Sequence, residues 1–153
     1  MVKKIKRHTA KPETKYNSAL LARFINLVMK KGKKSCAERV VYEMLDIIKE
    51  KAGKNELDVF KDAIMNVKPV VEIKSKRIGG ATYQIPVSVE DRRSESLAFR
   101  WLLEGARKNS GRSMALRLSQ EILDAYNKTG KAMEKREATH RMAEANKAFA
   151  HFA

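Results

Sequence analysis

Residues 70–89, VVEIKSKRIGGATYQIPVSV, place β-branched and apolar residues at period two on either side of Gly79-Gly80. Paired strands can use that pattern and a helix cannot. Before and after this segment the apolar residues recur at spacings of three and four, the period of an amphipathic helix. The chain is thereby confined to a set of helices with one β-hairpin inserted among them. A pairing that gathers the apolar side chains on one face sets Val71 opposite Val89, Ile73 opposite Val87, Ser75 opposite Ile85 and Arg77 opposite Tyr83. It leaves Lys74 and Lys76 on the other face with Pro86 and Gln84, since a slip of one residue exchanges the faces. The ribbon's outer half is basic and polar, so it is expected to project, with a tip that a partner must order.

Local signals divide the rest into six helices. The first starts near residue 17, with Asn17 or Ser18 as cap, Leu20, Leu21, Phe24, Leu27 and Val28 inward, and a stop at Gly32. Lys30, Lys31, Lys33 and Lys34 crowd its negative end, where cations are favoured. The second is expected to open on a capping box, Ser35-Cys36-Ala37-Glu38, to bury Ala37, Val41, Met44, Leu45 and Ile48, and to end at Gly53. The third starts near Asn55, turns Leu57, Phe60, Ile64 and Val67 inward, and stops at Lys68 because Pro69 follows. The fourth, capped by Asp91, buries Leu97, Ala98, Trp101 and Leu102 and carries Arg93, Arg100 and Arg107 outside. Ser113 caps a fifth, with Leu116, Ser119, Ile122, Leu123 and Tyr126 on its inner stripe, ending near Gly130. A sixth, from about Ala132 to Phe149, has only Met133, Met142 and Phe149 as large apolar groups and should lie on the surface. The expected fold is mainly α. It is one six-helix domain over residues 17–153, with a protruding two-stranded antiparallel hairpin between the third and fourth helices and a basic extended arm over residues 1–16.

Charge narrows the function. The chain has 153 residues with 33 Lys and Arg against 18 Asp and Glu, a net charge of +15. Residues 1–34 hold 11 basic groups and only Glu13 as an acid, whereas residues 35–69 are almost neutral. Such polarisation fits an arm that meets a polyanion, because solubilising charge is interspersed over a surface. A membrane is the poorer partner, since the arm up to Tyr16 has no Trp, Phe or Leu to embed and no apolar run approaches the ~20 residues of a bilayer span. The N-terminal basic residues precede no apolar stretch, so a cytosolic location without a secretory leader is expected.

Candidates for covalent chemistry are weak. Cys36 is the single cysteine, which forbids an intrachain disulfide or a multi-cysteine zinc cage, and it reads as a small helical residue. His140 with Glu137 or Glu144 has helical spacing for one edge of a metal site, but the pairs lie among charges and read as a solvated face. Trp101 reads as core. Gly79-Gly80 stands between strands and is a turn, and the sequence has no phosphate loop, nucleophile elbow or paired-carboxylate motif. Neither an enzyme nor a cofactor is indicated. The basic arm, ribbon and fourth-helix stripe together point to nucleic acid.

Several segments resemble the bacterial-type family of ribosomal protein seven of the small subunit. They are Phe24-Ile25-Asn26, Gly32-Lys33-Lys34-Ser35 with Ala37-Glu38, Asn66-Val67-Lys68-Pro69, and the hairpin string from Val71 through Gly79-Gly80-Ala81-Thr82-Tyr83-Gln84-Ile85-Pro86-Val87. Arg100-Trp101-Leu102, Ser113-Met114 and the run from His140 through Asn146 to Phe149-Ala150-His151 follow in the family's order.

The resemblance implies a protein that binds the 3′ major domain of small-subunit ribosomal RNA, helps nucleate assembly of the subunit head, and lies near exit-site tRNA and messenger RNA. Its setting would be the cytoplasmic small ribosomal subunit, with protein eleven as a neighbour. Carried onto this chain, the RNA-binding residues are Lys3, Lys4, Lys6, Arg7 and Lys11 of the arm, Lys30, Lys31, Lys33 and Lys34, ribbon residues Lys74, Lys76 and Arg77, and Arg92, Arg93 and Arg100. Gly79, Gly80, Ala81, Tyr83, Arg141 and His151 would face tRNA and messenger. An architectural DNA-binding protein with a basic β-arm is the alternative. Such arms kink DNA with an apolar wedge at the tip, and here the tip is Gly79-Gly80-Ala81.

Overall fold

The structure is a computed structural model that describes residues 11–152. Six α-helices are present among them: α1 (Ala19–Val28), α2 (Lys34–Ala52), α3 (Glu56–Val67), α4 (Asp91–Lys108), α5 (Met114–Tyr126) and α6 (Lys131–Ala145). Strands β1 (Val71–Ile78) and β2 (Ala81–Ser88) form a two-stranded antiparallel ribbon between α3 and α4. A 3-10 segment, Lys147–Phe152, follows α6. The chain divides into two compact units within α2, one up to Val41 and one from Tyr42.

In the first unit Glu13 is buried, and its carboxylate accepts from the backbone N–H groups of Lys15 and of Tyr16, the latter at 2.9 Å. The chain turns there before Ser18, whose hydroxyl accepts from Leu21 N and caps α1. Leu21, Phe24, Ile25 and Val28 of α1 are buried, as are Ala37 and Val41 of α2. The expected capping box is not formed. Ser35 is already the second residue of α2, and Glu38 pairs with Lys34 Nζ at 3.9 Å across one helical turn. The link from Lys30 to Lys33 closes by its own backbone bond, Lys33 N to Lys30 O at 3.1 Å, so the helix begins before the hydroxyl could cap it.

The second unit is a helical core carrying the ribbon. α3 packs on α5, α5 on α4, and α4 on α6, while α6 also runs along β1. Met44, Leu45, Ile48, Phe60, Ile64, Leu102, Leu118 and Ile122 are fully buried at the centre. Asn55 caps α3 by accepting from Leu57 N at 3.0 Å, and α3 ends at Lys68 before Pro69 as expected. Two local expectations fail. The cap of α4 is Glu90, with no side-chain cap bond, and Asp91 instead accepts from Lys68 Nζ at 2.8 Å. On α5 the buried stripe is Ala115, Leu118, Ser119, Glu121, Ile122 and Ala125, while Leu116 is 38% exposed. The helix presents to α3 and α4 a face rotated from the one that an unbroken count of large apolar residues would select.

The ribbon's register differs from the expected one by a residue. Ile73 stands opposite Pro86, Ser75 opposite Gln84, Lys76 opposite Tyr83 and Ile78 opposite Ala81. The cause is the turn. Gly79 and Gly80 both have positive φ, 56° and 89°, which is the requirement of a two-residue hairpin turn whose twist matches that of the strands. Antiparallel pairs alternate between bonded and non-bonded, and Val89 N to Val70 O at 3.0 Å fixes the phase. Pro86 then falls in a non-bonded pair, where its missing N–H removes nothing from the ladder. Consequently Lys74 and Lys76 share a face with buried Ile85 and with Tyr83, whereas Ser75, Arg77, Thr82 and Gln84 form the other face.

Candidate nucleic-acid interface

Lys3, Lys4, Lys6 and Arg7 lie outside the described residues. Lys11 is exposed and, with Glu13, Lys34 and Glu38, lines a cleft of about 270 Å³ in the first unit. Lys30, Lys31, Lys33 and Lys34 are all exposed around the α1–α2 link. Lys31 and Gly32 take positive φ, 52° and 73°, so the chain turns sharply within the short link that carries these four lysines. Phosphate is the ligand that such a group attracts, since each contact releases condensed counterions.

The second unit carries the remaining candidates. Arg92, Arg93 and Arg100 are exposed along α4. Arg93 is held by Glu72, Nη2 to Oε2 at 3.2 Å, and the same carboxylate lies 3.6 Å from Lys74 Nζ through its other oxygen. Glu72 has a side chain only 15% exposed. It ties the ribbon to the N-terminal turn of α4 and sets the spacing of two cations. Lys76 Nζ donates to the carbonyl of Phe152 at 2.8 Å. Arg77 is exposed on the opposite face.

Among the residues expected to face tRNA and messenger, Gly79, Gly80 and Ala81 are exposed at the tip. The Tyr83 ring packs on Phe149 at 5.3 Å and Phe152 at 5.6 Å between centroids. His151 is exposed and lies on Phe152 at 3.9 Å. Arg141 is exposed on α6. The ribbon's outer half is therefore not bare, and sequence reasoning missed both Phe152 and the placement of Phe149 upon Tyr83. The available signal was the recurrence of Phe149 and Phe152 at period three after Asn146, with a lone ribbon aromatic in need of a partner.

Other candidates resolve simply. Trp101 is buried in the core. Cys36 is exposed in the first turn of α2. His140 Nε2 accepts from Val70 N at 3.2 Å, so its lone pair holds the base of the ribbon to α6. Burial, aided by nearby Arg136, lowers its pKa below the ordinary histidine value. Among the described residues, no three His, Cys, Asp or Glu side chains cluster to hold a metal ion, and no helix is long and apolar enough to cross a membrane.

Residues 2–147 match the model of the family described as ribosomal protein S7p/S5e. The small ribosomal subunit protein uS7 of Thermomicrobium roseum is 55% identical over 149 residues, 97% of this chain and 96% of that protein. The protein of the same name from Treponema denticola is 54% identical over 146 residues, covering 95% and 94%. That of Vibrio vulnificus is 56% identical over 141 residues, covering 92% and 90%. With nearly the whole chain matched on both measures, it belongs to the ribosomal protein S7p/S5e family, whose members are structural components of the ribosome and not enzymes.

Proposed function

We propose that this chain binds the 3′ major domain of small-subunit ribosomal RNA in the cytoplasm and helps nucleate the subunit head. The observation that carries the reading is the exposure of Lys30, Lys31, Lys33, Lys34, Arg77, Arg92 and Arg100 in a chain of this family. These groups neutralise phosphates and supply affinity for RNA in general. A folded junction is then selected by shape, because the deep A-form groove hides its base edges from side chains. No covalent step is required of any residue.

The organisation follows the same division of labour. Residues 1–16 act as a basic arm, and residues from 17 onward form the helical RNA-binding domain that carries the ribbon. Gly79, Gly80, Ala81, Tyr83, Arg141 and His151 lie toward exit-site tRNA and messenger, and neighbouring small-subunit proteins, protein eleven among them, border the chain. The test is sedimentation of the protein from a cell lysate at graded salt. Co-migration with small ribosomal subunits is expected, and co-migration with the nucleoid would overturn the reading in favour of a DNA-binding one.

A further inference from the structure

The aromatic rings of the 3-10 segment Lys147–Phe152 lie on the Tyr83 face of the ribbon's outer half. Tyr83 meets Phe149 at 5.3 Å and Phe152 at 5.6 Å, and those two rings stack at 6.5 Å with 19° between their planes. Lys76, directly opposite Tyr83, donates to the Phe152 carbonyl at 2.8 Å. Both strands are therefore gripped at the same rung, and farther down the same face Ile85 is buried. The opposite face, with Ser75, Arg77, Thr82 and Gln84, is exposed.

An isolated two-stranded ribbon is marginal in water. This one has its core anchor at the base, so the outer half depends on what covers it. We propose that Phe149 and Phe152 are positioning residues: they strap the outer ribbon into a single orientation before RNA arrives and thereby fix the direction of Arg77 on the open face. The functional consequence rests on the RNA-binding reading given above; the strap itself does not. A ribbon ordered in advance loses less conformational freedom on binding, which is how preorganisation raises affinity. Because the strap lies on the Tyr83 face, it orders the ribbon without covering Arg77.

The experiment uses the full chain with Phe149→Ala and Phe152→Ala together. Amide exchange over residues 75–84 should quicken by about tenfold or more while α3 to α5 keep their protection, as for a local opening. Affinity for a transcript of the 3′ major domain should fall several-fold. Phe149→Tyr with Phe152→Tyr keeps the rings and should preserve both properties, and Lys76→Met should give a smaller acceleration at the same amides.

Rescue separates positioning from direct contact. Ser75 and Gln84 form a non-bonded pair, whose Cα atoms lie about 4.5 Å apart, within disulfide range. Oxidised Ser75→Cys with Gln84→Cys, in a Cys36→Ser background, should restore protection and affinity to the double alanine variant. Unchanged exchange over 75–84 would overturn the strap, as would an affinity loss that the cross-link fails to restore. If exchange behaves as expected and Arg77→Gln leaves RNA affinity untouched, the strap stands and the ribbon's RNA reading fails.

Discussion

Glu121 Oε1 accepts from Ala132 N at 2.8 Å, so a carboxylate of α5 caps the first turn of α6. The cap of that helix is Gly130, at φ 90°, with no side chain of its own to satisfy the free amides. Glu121 is 2% exposed, and burial raises its pKa above the ordinary carboxylate value. Gly105 makes room for it: a Cβ there would lie 2.7 Å from the carboxyl carbon.

Glu121→Ala should destabilise the protein by about 1–3 kcal/mol, since it leaves buried amides at the start of α6 without an acceptor. Gly105→Ala should cost a similar ~1–3 kcal/mol, because the added methyl group must push aside a carboxylate already committed to a cap. Glu121→Gln keeps an acceptor and should stay within about 1 kcal/mol of the parent at neutral pH. Chemical denaturation checks all three.

The same carboxylate makes stability depend on pH. A pKa raised on folding means that the native state holds its proton more tightly, so the contribution is fully present below the ordinary value of 4.5 and fades as pH rises through the folded value. Glu121→Gln should remove that fall, measured as unfolding free energy against pH above 4.5.

His140 has the opposite sign. Its Nε2 must stay unprotonated to accept from Val70 N, and burial with nearby Arg136 lowers its pKa. Arg136, Glu144 and Lys147 line the same groove. Stability from this bond is present above the ordinary value of 6.5 and is lost as pH falls through the folded value. His140→Gln should flatten the acid side of the profile; an unchanged slope below pH 6.5 would show that the bond carries no linkage.

The ribbon's two faces predict different effects on RNA. Arg77→Gln should lower affinity and flatten the plot of log affinity against log salt by roughly 0.7 to 0.9 if it meets one phosphate. Lys76→Gln should act mainly through order, quickening exchange in the ribbon, because one of its three N–H groups already serves Phe152. Isothermal titration at several salt concentrations, with exchange measured in parallel, separates them.

Much of this was legible in the sequence. Ser18, Asn55 and Ser113 cap the helices as their positions suggest, because those signals act within a few residues. The ribbon's place was legible for the same reason, but its register was decided by turn geometry at Gly79-Gly80, and face segregation alone pointed elsewhere by one residue. Lysines stand on the covered face because a long side chain can keep its ammonium at the rim, here against a C-terminal carbonyl. The α5 stripe shows a different failure. Leu118→Ala should cost about 2–5 kcal/mol and Leu116→Ala much less, since burial depends on which side α3 and α4 approach. No local signal marks Glu13, Glu72 and Glu121, because their partners are backbone amides or cations that only the folded chain supplies.

The central claim is recognition of folded ribosomal RNA by the exposed cations of this scaffold. The direct test is affinity for a transcript of the 3′ major domain against duplex DNA of equal length, at one fixed salt concentration, because charge alone attracts both. Tighter binding of the transcript is predicted. Equal affinity for the two would contradict the account.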